Sequence, residues 1–130
     1  MKFRYLTPYD VRLIHEHVIR RYGGIEGERE PELINFIADK PRQELYGQEL
    51  YPGLFLKAAV YLHGFAAAQY FADGNKRTGT VCCLTFLYLN GYRLNASNKE
   101  LFDVVLKVAN KQMDLSELAE WLESKAIKLT

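Results

Sequence analysis

Two long apolar segments on either side of a short polar turn constrain the fold of this chain more than any other feature. Residues 54–71 carry apolar side chains at helical spacing, with several alanines that permit close packing. Residues 76–90 carry apolar side chains on nearly every face. Because a helix that is apolar all round has to be buried, these segments predict two central helices flanking the turn Asp73-Gly74-Asn75.

The N-terminal part of the chain predicts shorter helices with clear start and stop signals. Thr7 has the properties of an N-cap and is followed by proline in the first helical position, and the glycines at 23–24 end that helix. Residues 31–39 predict a short second helix, because their apolar side chains share a face and Pro41 follows. Residues 41–51 are expected to form a loop.

The C-terminal third of the chain predicts two further helices. Ser97 or Asn98 is the expected N-cap of one, and Asp114 that of the other. No segment has a convincing strand pattern, and there is no internal repeat or linker. The prediction is therefore an all-α fold, a compact bundle of about six helices forming one domain over residues 1–130, with the polar loop between the two central helices.

Composition and charge exclude several classes of protein. Hydrophobic residues are 48% and charged residues 25% of the chain, which is ordinary globular usage. The net charge of +1 gives no support to binding of duplex nucleic acid. Cys82 and Cys83 are neighbours and cannot easily bond to each other. No signal-like run is present, and the apolar stretch 81–89 is too short for a bilayer, so we expect a cytoplasmic protein without membrane attachment.

The polar turn between the central segments has the composition of an anion site. Backbone N–H groups at a helix start are unpaired and the helix dipole adds positive charge there. Gly74 lets the backbone come close, while Lys76 and Arg77 occupy a first turn where the dipole prefers acidic residues. Asp73 adds a hard oxygen ligand of the kind magnesium needs. The same residues also fit an ordinary turn between helices, with Asn75 as no more than an N-cap.

A resemblance separates these alternatives. Residues 69–78 read QYFADGNKRT and resemble the Fic/Doc signature, His-x-Phe-x-(Asp/Glu)-(Gly/Ala)-Asn-(Gly/Lys)-Arg. The RYGG of residues 21–24 and the LTFLYLNGY of residues 84–92 also resemble Doc toxins. Lys76 and Thr80 stand where the Fic branch has a glycine and a second arginine, so the chain is similar to the Doc branch over nearly its whole length.

The resemblance implies a function as well as a fold. Doc-like proteins are toxins that transfer phosphate from ATP to elongation factor Tu, and an antitoxin partner, helical when bound, holds them inactive. By the same resemblance Asp73 would hold magnesium and act in catalysis with Lys76 and Arg77. The residues that would bind the nucleotide are Gly74, Asn75, Lys76, Arg77 and Thr78.

Gln69 is the one departure from the signature, because it occupies the position of the histidine that serves as the catalytic base. A glutamine amide is too weak a base to take a proton from a hydroxyl at neutral pH. None of the three histidines replaces it by spacing: His63 lies on another helical face, and His15 and His17 are interpreted as packing or surface residues.

The substitution leaves three readings of the function. The expectation is a weakened or inactive Doc kinase, and the alternatives are a nucleotide- or partner-binding module without catalysis and an AMP transferase of the Fic kind. Gln69 itself fits natural decay, a repurposed binding protein or an engineered change.

Overall fold

Residues 2–130 contain six α-helices, which confirms the predicted all-α bundle. The structure is a computed structural model and describes residues 2–130. A short 3-10 turn at Lys40–Arg42 follows the second helix. The helices are α1 (Pro8–Tyr22), α2 (Pro31–Asp39), α3 (Leu54–Ala66), α4 (Asn75–Leu89), α5 (Asn98–Ala109) and α6 (Leu115–Lys125). No helix within residues 2–130 is long and apolar enough to span a bilayer.

In the part of the chain that the structure describes, four very short strands correct the expectation that no strand would form. The segment 41–51, expected to be a loop, contains a hairpin whose two turn residues, Tyr46 and Gly47, have φ values of 51° and 77°. Two or three residues are too few to show the alternating pattern that identifies a strand in a sequence. The strands form two antiparallel pairs, β1 (Glu44–Leu45) with β2 (Gln48–Glu49), and β3 (Tyr92–Leu94) with β4 (Ala126–Lys128).

The expected helix starts are confirmed. Thr7, Ser97 and Asp114 each accept a hydrogen bond from the third residue of the helix that follows, and the acidic side chain of that residue bonds back to the cap. Such reciprocal caps satisfy backbone donors that have no partner inside the helix. At the other end of α1, Gly23 has a φ of 82°, as expected for a glycine that ends a helix.

The central pair, α3 and α4, forms the middle of the core. The two helices approach closely at Gly79, where a Cβ atom would lie 3.0 Å from both the Leu62 carbonyl oxygen and the Phe65 Cβ. The helix α3 also packs on α5 and α6, and α4 packs on α1. The polar loop therefore lies at one end of the central pair, while β1–β2 and β3–β4 adjoin the other end.

The helix predicted over residues 54–71 is shorter than expected, because α3 ends at Ala66. Residues 67–74, called the motif loop below, leave the helix to pair with residues 23–30. Ala72 N donates to Gly27 O at 2.9 Å, and Phe71 forms an antiparallel bridge with Glu28. Backbone bonds to a distant segment thus replace helical bonds that the apolar pattern predicts.

Candidate functional site

A cavity of about 530 Å³ lies at the motif loop. Its lining contains residues from α1, from the motif loop and from the ends of α4 and α5, including Tyr22 and Ala109. The structure brings six of the predicted site residues together in this lining: Gln69, Asp73, Gly74, Asn75, Lys76 and Arg77. These residues lie close enough to act on one ligand.

The start of α4 leaves its first backbone N–H groups without a side-chain cap among residues 2–130. Gly74 precedes the helix in the left-handed conformation, with a φ of 76°, and a Cβ there would lie 3.1 Å from Ile19 Cδ1. No side chain caps the helix and its first turn contains no acidic residue. The first backbone N–H groups of α4 are therefore free to bind an anion, and the helix dipole favours one.

Asn75 closes the motif loop. Its Oδ1 accepts from Phe71 N and its Nδ2 donates to Phe71 O, both at 3.0 Å. One N–H of the amide remains beyond these two bonds. Binding of a nucleotide by Asn75 stays a prediction, and the bonds seen in the structure give this side chain a role in shaping the loop.

Phe71 and His15 support the loop from below. Phe71 is fully buried, and its ring stacks on the His15 imidazole with 3.8 Å between the ring centres. His15 Nε2 lies 2.9 Å from the backbone oxygen of Asp73. A carbonyl can only accept, so Nε2 carries the proton in this contact. His15 is the packing residue that was expected, but its position under the loop had no sequence signal because 58 residues separate it from Asp73.

The carboxylate of Asp73 is held by backbone N–H groups. Ile25 N donates to Oδ2 at 3.1 Å and Gly74 N donates to Oδ1 at 2.9 Å. These bonds hold the pKa of Asp73 below its usual value, and the bond from Ile25 has the largest effect. The exposed side chain is therefore ionised at neutral pH. Gly24 permits this approach, because a Cβ there would lie 2.8 Å from Oδ2.

Lys76 and Arg77 present two exposed positive charges to the cavity. The Arg77 guanidinium lies 4.1 Å from the centre of the Tyr22 ring, an arrangement that orients it without neutralising it. Within residues 2–130 neither side chain forms an ion pair. An anion in the cavity would meet charge that the protein itself leaves unpaired.

Residues 23–30, called the bracing segment below, hold the motif loop from one side. The backbone N–H groups of Arg29 and Glu30 both donate to Tyr70 O, at 2.8 and 3.0 Å. Arg12 in turn binds the Glu28 carboxylate through two nitrogens: its Nε donates to Oε2 at 2.7 Å and its Nη2 donates to Oε1 at 3.1 Å. This role has no signal in the sequence, where the glycines at 23–24 indicate only the end of α1.

Gln69 is exposed, lines the cavity and contacts Arg29, whose Nη1 donates to Gln69 Oε1 at 3.2 Å. None of the three histidines lines this cavity. His63 is half-buried in α3, and burial is the main cause that lowers its pKa. Gln69 therefore lines a cavity to which no histidine contributes a side chain.

Thr78 is the one predicted site residue that the cavity does not include. Its side chain is fully buried and its Oγ1 has no hydrogen-bond partner within residues 2–130. The structure places it on the core side of α4, so its predicted contact with a nucleotide is not supported by its position.

Asp73 does not belong to a cluster of three or more metal-ligating side chains within residues 2–130. Among residues 2–130 there is no group of three or more His, Cys, Asp or Glu side chains that could hold a metal ion. A magnesium ion at Asp73 would take its remaining oxygen ligands from phosphate groups and water, which is the usual arrangement for this ion.

The fold and this cavity define an all-helical protein with a glycine-containing loop at the start of a central helix. Residues 5–87 match the profile of the Fic/DOC family, and the chain belongs to that family. It is 34% identical over 100 residues to "Toxin Doc" of Mycolicibacterium smegmatis, a match that covers 75% of this chain and 77% of that protein. It is 31% identical over 119 residues to "Protein kinase doc" of Escherichia phage P1, covering 92% and 93%.

Proposed function

We propose that this chain is a Doc-type toxin that acts in the cytoplasm together with an antitoxin, as one domain over residues 1–130. Its reaction would be transfer of phosphate from ATP to a protein hydroxyl, with elongation factor Tu as the substrate, weakened or lost through Gln69. The observation that carries the proposal is the cavity where the uncapped start of α4 meets two unpaired cations. The names of the two relatives, a toxin and a protein kinase, support it.

ATP and magnesium fit the residues that line the cavity. The first N–H groups of α4, with Lys76 and Arg77, would hold phosphate oxygens. Asp73 is exposed and ionised, and both of its oxygens keep a lone pair beyond their backbone bonds, so it would offer magnesium a ligand. Bound ATP supplies the phosphoryl group and magnesium neutralises charge on its oxygens.

The acceptor hydroxyl meets a weaker partner at Gln69. In the signature the residue at this position removes the hydroxyl proton while the oxygen attacks phosphorus, and an amide cannot take that proton at neutral pH. General-base catalysis typically contributes about 10²- to 10⁴-fold. We therefore expect nucleotide binding close to that of an active relative, with transfer slowed by a factor in that range.

A nucleotide- or partner-binding module without catalysis is the second candidate, and Gln69 favours it. AMP transfer of the Fic kind is less well supported. Thr80 stands where that branch has a second arginine, and its hydroxyl donates to Lys76 O at 2.7 Å, so it adds no positive charge.

Mass spectrometry of purified elongation factor Tu, incubated with the chain, ATP and magnesium, tests these candidates. We expect a slow addition of phosphate that disappears with Asp73→Ala. Addition of AMP would contradict the kinase function, and ATP binding without any addition would support the binding module.

Calorimetric titration with ATP and magnesium tests the cavity itself. At a ligand concentration 100 times the dissociation constant, binding should stabilise the fold by about 2.7 kcal/mol. Asp73→Ala and Lys76→Ala should weaken the binding. Unchanged affinity in both variants would show that the nucleotide does not bind at the motif loop.

A groove of about 500 Å³ between α4 and α5 is the proposed site for the antitoxin. Its lining is mostly apolar and includes Phe102, whose side chain is 62% exposed, while Lys76 and Arg77 lie at one end. An amphipathic helix with acidic residues near one end would match this pattern. Since the groove and the cavity share these two cations, an occupant of the groove would lie beside the phosphate site.

Co-expression with the neighbouring open reading frame, followed by size exclusion, tests the groove. Phe102→Glu should abolish the complex. Tyr88→Glu is the matched control, because Tyr88 is 66% exposed on α4 but does not line the groove. A chain that elutes alone at 15.0 kDa, or equal loss in both variants, would contradict this site.

A further inference from the structure

The contact between Gln69 and Arg29 assigns the oxygen and the nitrogen of the Gln69 amide. Arg29 Nη1 lies 3.2 Å from Gln69 Oε1. A guanidinium has five N–H donors and no acceptor, so the amide atom beside it has to be the oxygen. This assignment follows from the partner and does not depend on the choice between oxygen and nitrogen in the coordinates.

The nitrogen of the same amide remains available. Gln69 lines the cavity and Arg29 does not, so the oxygen is engaged by a residue outside the cavity. Within residues 2–130 the Gln69 Nε2 has no hydrogen-bond partner. Gln69 therefore brings two unpaired N–H donors to the cavity wall, while its oxygen already accepts one hydrogen bond and keeps one lone pair.

Arg29 is fixed in place by its backbone. Its backbone N–H donates to the carbonyl oxygen of Tyr70 at 2.8 Å, and Tyr70 is the neighbour of Gln69 in the chain. The neighbouring Glu28 is tied to Arg12, whose Nη1 also donates to Asn35 Oδ1 at 2.7 Å. The segment that carries Arg29 is thus joined to the motif loop on one side and to α1 and α2 on the other.

We infer that Gln69 is an anion-binding donor, and that Arg29 is the positioning residue that turns the amide N–H groups toward phosphate oxygens. This inference rests on the proposed nucleotide site and adds a donor to its wall. The loop position that accepts a proton in the family signature then donates a hydrogen bond instead, so the chain would hold a nucleoside triphosphate firmly and turn it over slowly. A phosphate oxygen suits such a donor better than a neutral acceptor, because hydrogen bonds to charged groups are stronger.

Nuclear magnetic resonance of the ¹⁵N-labelled chain tests the inference directly. The side-chain NH₂ signal of Gln69, identified by its loss in Gln69→Glu, should shift on titration with ATP and magnesium and stay in place with adenosine. In Arg29→Ala the NH₂ shift should be lost and ATP should bind roughly tenfold more weakly, as expected for one hydrogen bond to a charged group. Arg29→Lys, which restores a donor, should recover part of both effects.

Arg93→Ala is the matched control for charge, because Arg93 is exposed on β3 and does not line the cavity. Equal weakening in Arg93→Ala and Arg29→Ala would reduce the effect to net charge and overturn the positioning role. If ATP shifts the backbone signal of Gly74 but not the Gln69 NH₂, the inference is wrong and the nucleotide site stands. If ATP shifts neither signal, the proposed function fails as well.

Discussion

Two lysines at opposite ends of the central helix pair show how differently the chain treats a positive charge. Lys57, near the start of α3, is fully buried, and its Nζ contacts the Tyr51 carbonyl oxygen and lies 3.1 Å from Glu49 Oε1. Lys76, in the first turn of α4, is exposed and has no ion-pair partner within residues 2–130. The charge of Lys57 has partners inside the protein, whereas the charge of Lys76 has none within residues 2–130.

The difference distinguishes a lysine that stabilises the fold from one that the proposed function assigns to the nucleotide. The Lys57 side chain fastens the segment after the hairpin to α3, so its loss should affect stability. Lys76 contributes little to the fold, so its loss should affect binding. This contrast between the two lysines can be tested by a pair of matched substitutions.

The largest expected effect is at the loop end. Gln69→His should raise phosphate transfer on the order of 10²-fold or more and make expression toxic, because an imidazole can take the hydroxyl proton. Transfer of phosphate to elongation factor Tu and growth after induction are the measurements.

Gln69→Asn is the control for this gain, since it changes the side chain without adding a base. Comparable activity in the histidine and asparagine variants would rule out general-base rescue. A histidine variant that binds ATP but neither modifies the target nor slows growth would remove the kinase function and leave the binding module.

The two lysines give the next effect. Lys57→Met keeps the volume but leaves the Tyr51 carbonyl without its donor, which should lower the free energy of unfolding by about 1–3 kcal/mol. Lys76→Met should change it by about 0.5 kcal/mol or less while weakening ATP binding roughly tenfold. Urea denaturation and calorimetry of both variants measure this. Loss of stability in both, or of binding in both, would remove the distinction between the ends.

Neighbouring glycines sharpen the comparison within the loop end. Gly24 and Gly23 have φ values of 129° and 82°, so alanine should cost on the order of 1 kcal/mol of stability at either. Only at Gly24 does the new Cβ meet the Asp73 carboxylate. Gly24→Ala should therefore also weaken the magnesium-dependent part of ATP binding, measured by titration with and without magnesium. An equal loss of magnesium-dependent ATP binding in Gly23→Ala would show that backbone strain, and not contact with Asp73, causes the effect.

The smallest effect is a response to acid away from the loop. A hydrogen bond from Lys125, followed by those of Ser97, lowers the pKa of Glu100 from 4.5 to about 2. A depressed pKa adds stability above the unfolded value, and that contribution is lost as pH falls from 4.5 toward 2. The stability difference between the native chain and Glu100→Gln should therefore shrink over this range in denaturation experiments. Glu120→Gln, at an exposed site on α6, should show no such trend.

The sequence predicts most of the helical framework because its signals are local. The caps Thr7 and Asp114 act within one turn, and the apolar faces of α3 and α4 repeat along one segment. The sequence also indicates the grouping of several predicted site residues, because they are close together in the chain: Asp73, Gly74, Lys76 and Arg77.

What the sequence does not predict depends on contacts between distant residues. The end of α3 at Ala66 follows from pairing between the motif loop and the bracing segment, which no periodicity reveals. Arg29 and His15 have no local pattern that connects them to the loop, because their contacts cross 40 and 58 residues. The stacking of His15 on Phe71 can be recognised only when the position of α1 in the fold is known.

These long-range contacts determine the stage of synthesis at which the motif loop can adopt its folded conformation. Ile25 and His15 leave the ribosome early, but Asp73 meets them only after another 48 and 58 residues have been added. Contacts of such sequence separation form late in folding. A nascent chain therefore has no assembled phosphate site until α4 has emerged and packed on α3. Prematurely released chains that stop before α4 should bind no nucleotide, so an error in translation yields an inert product and not a partly active one.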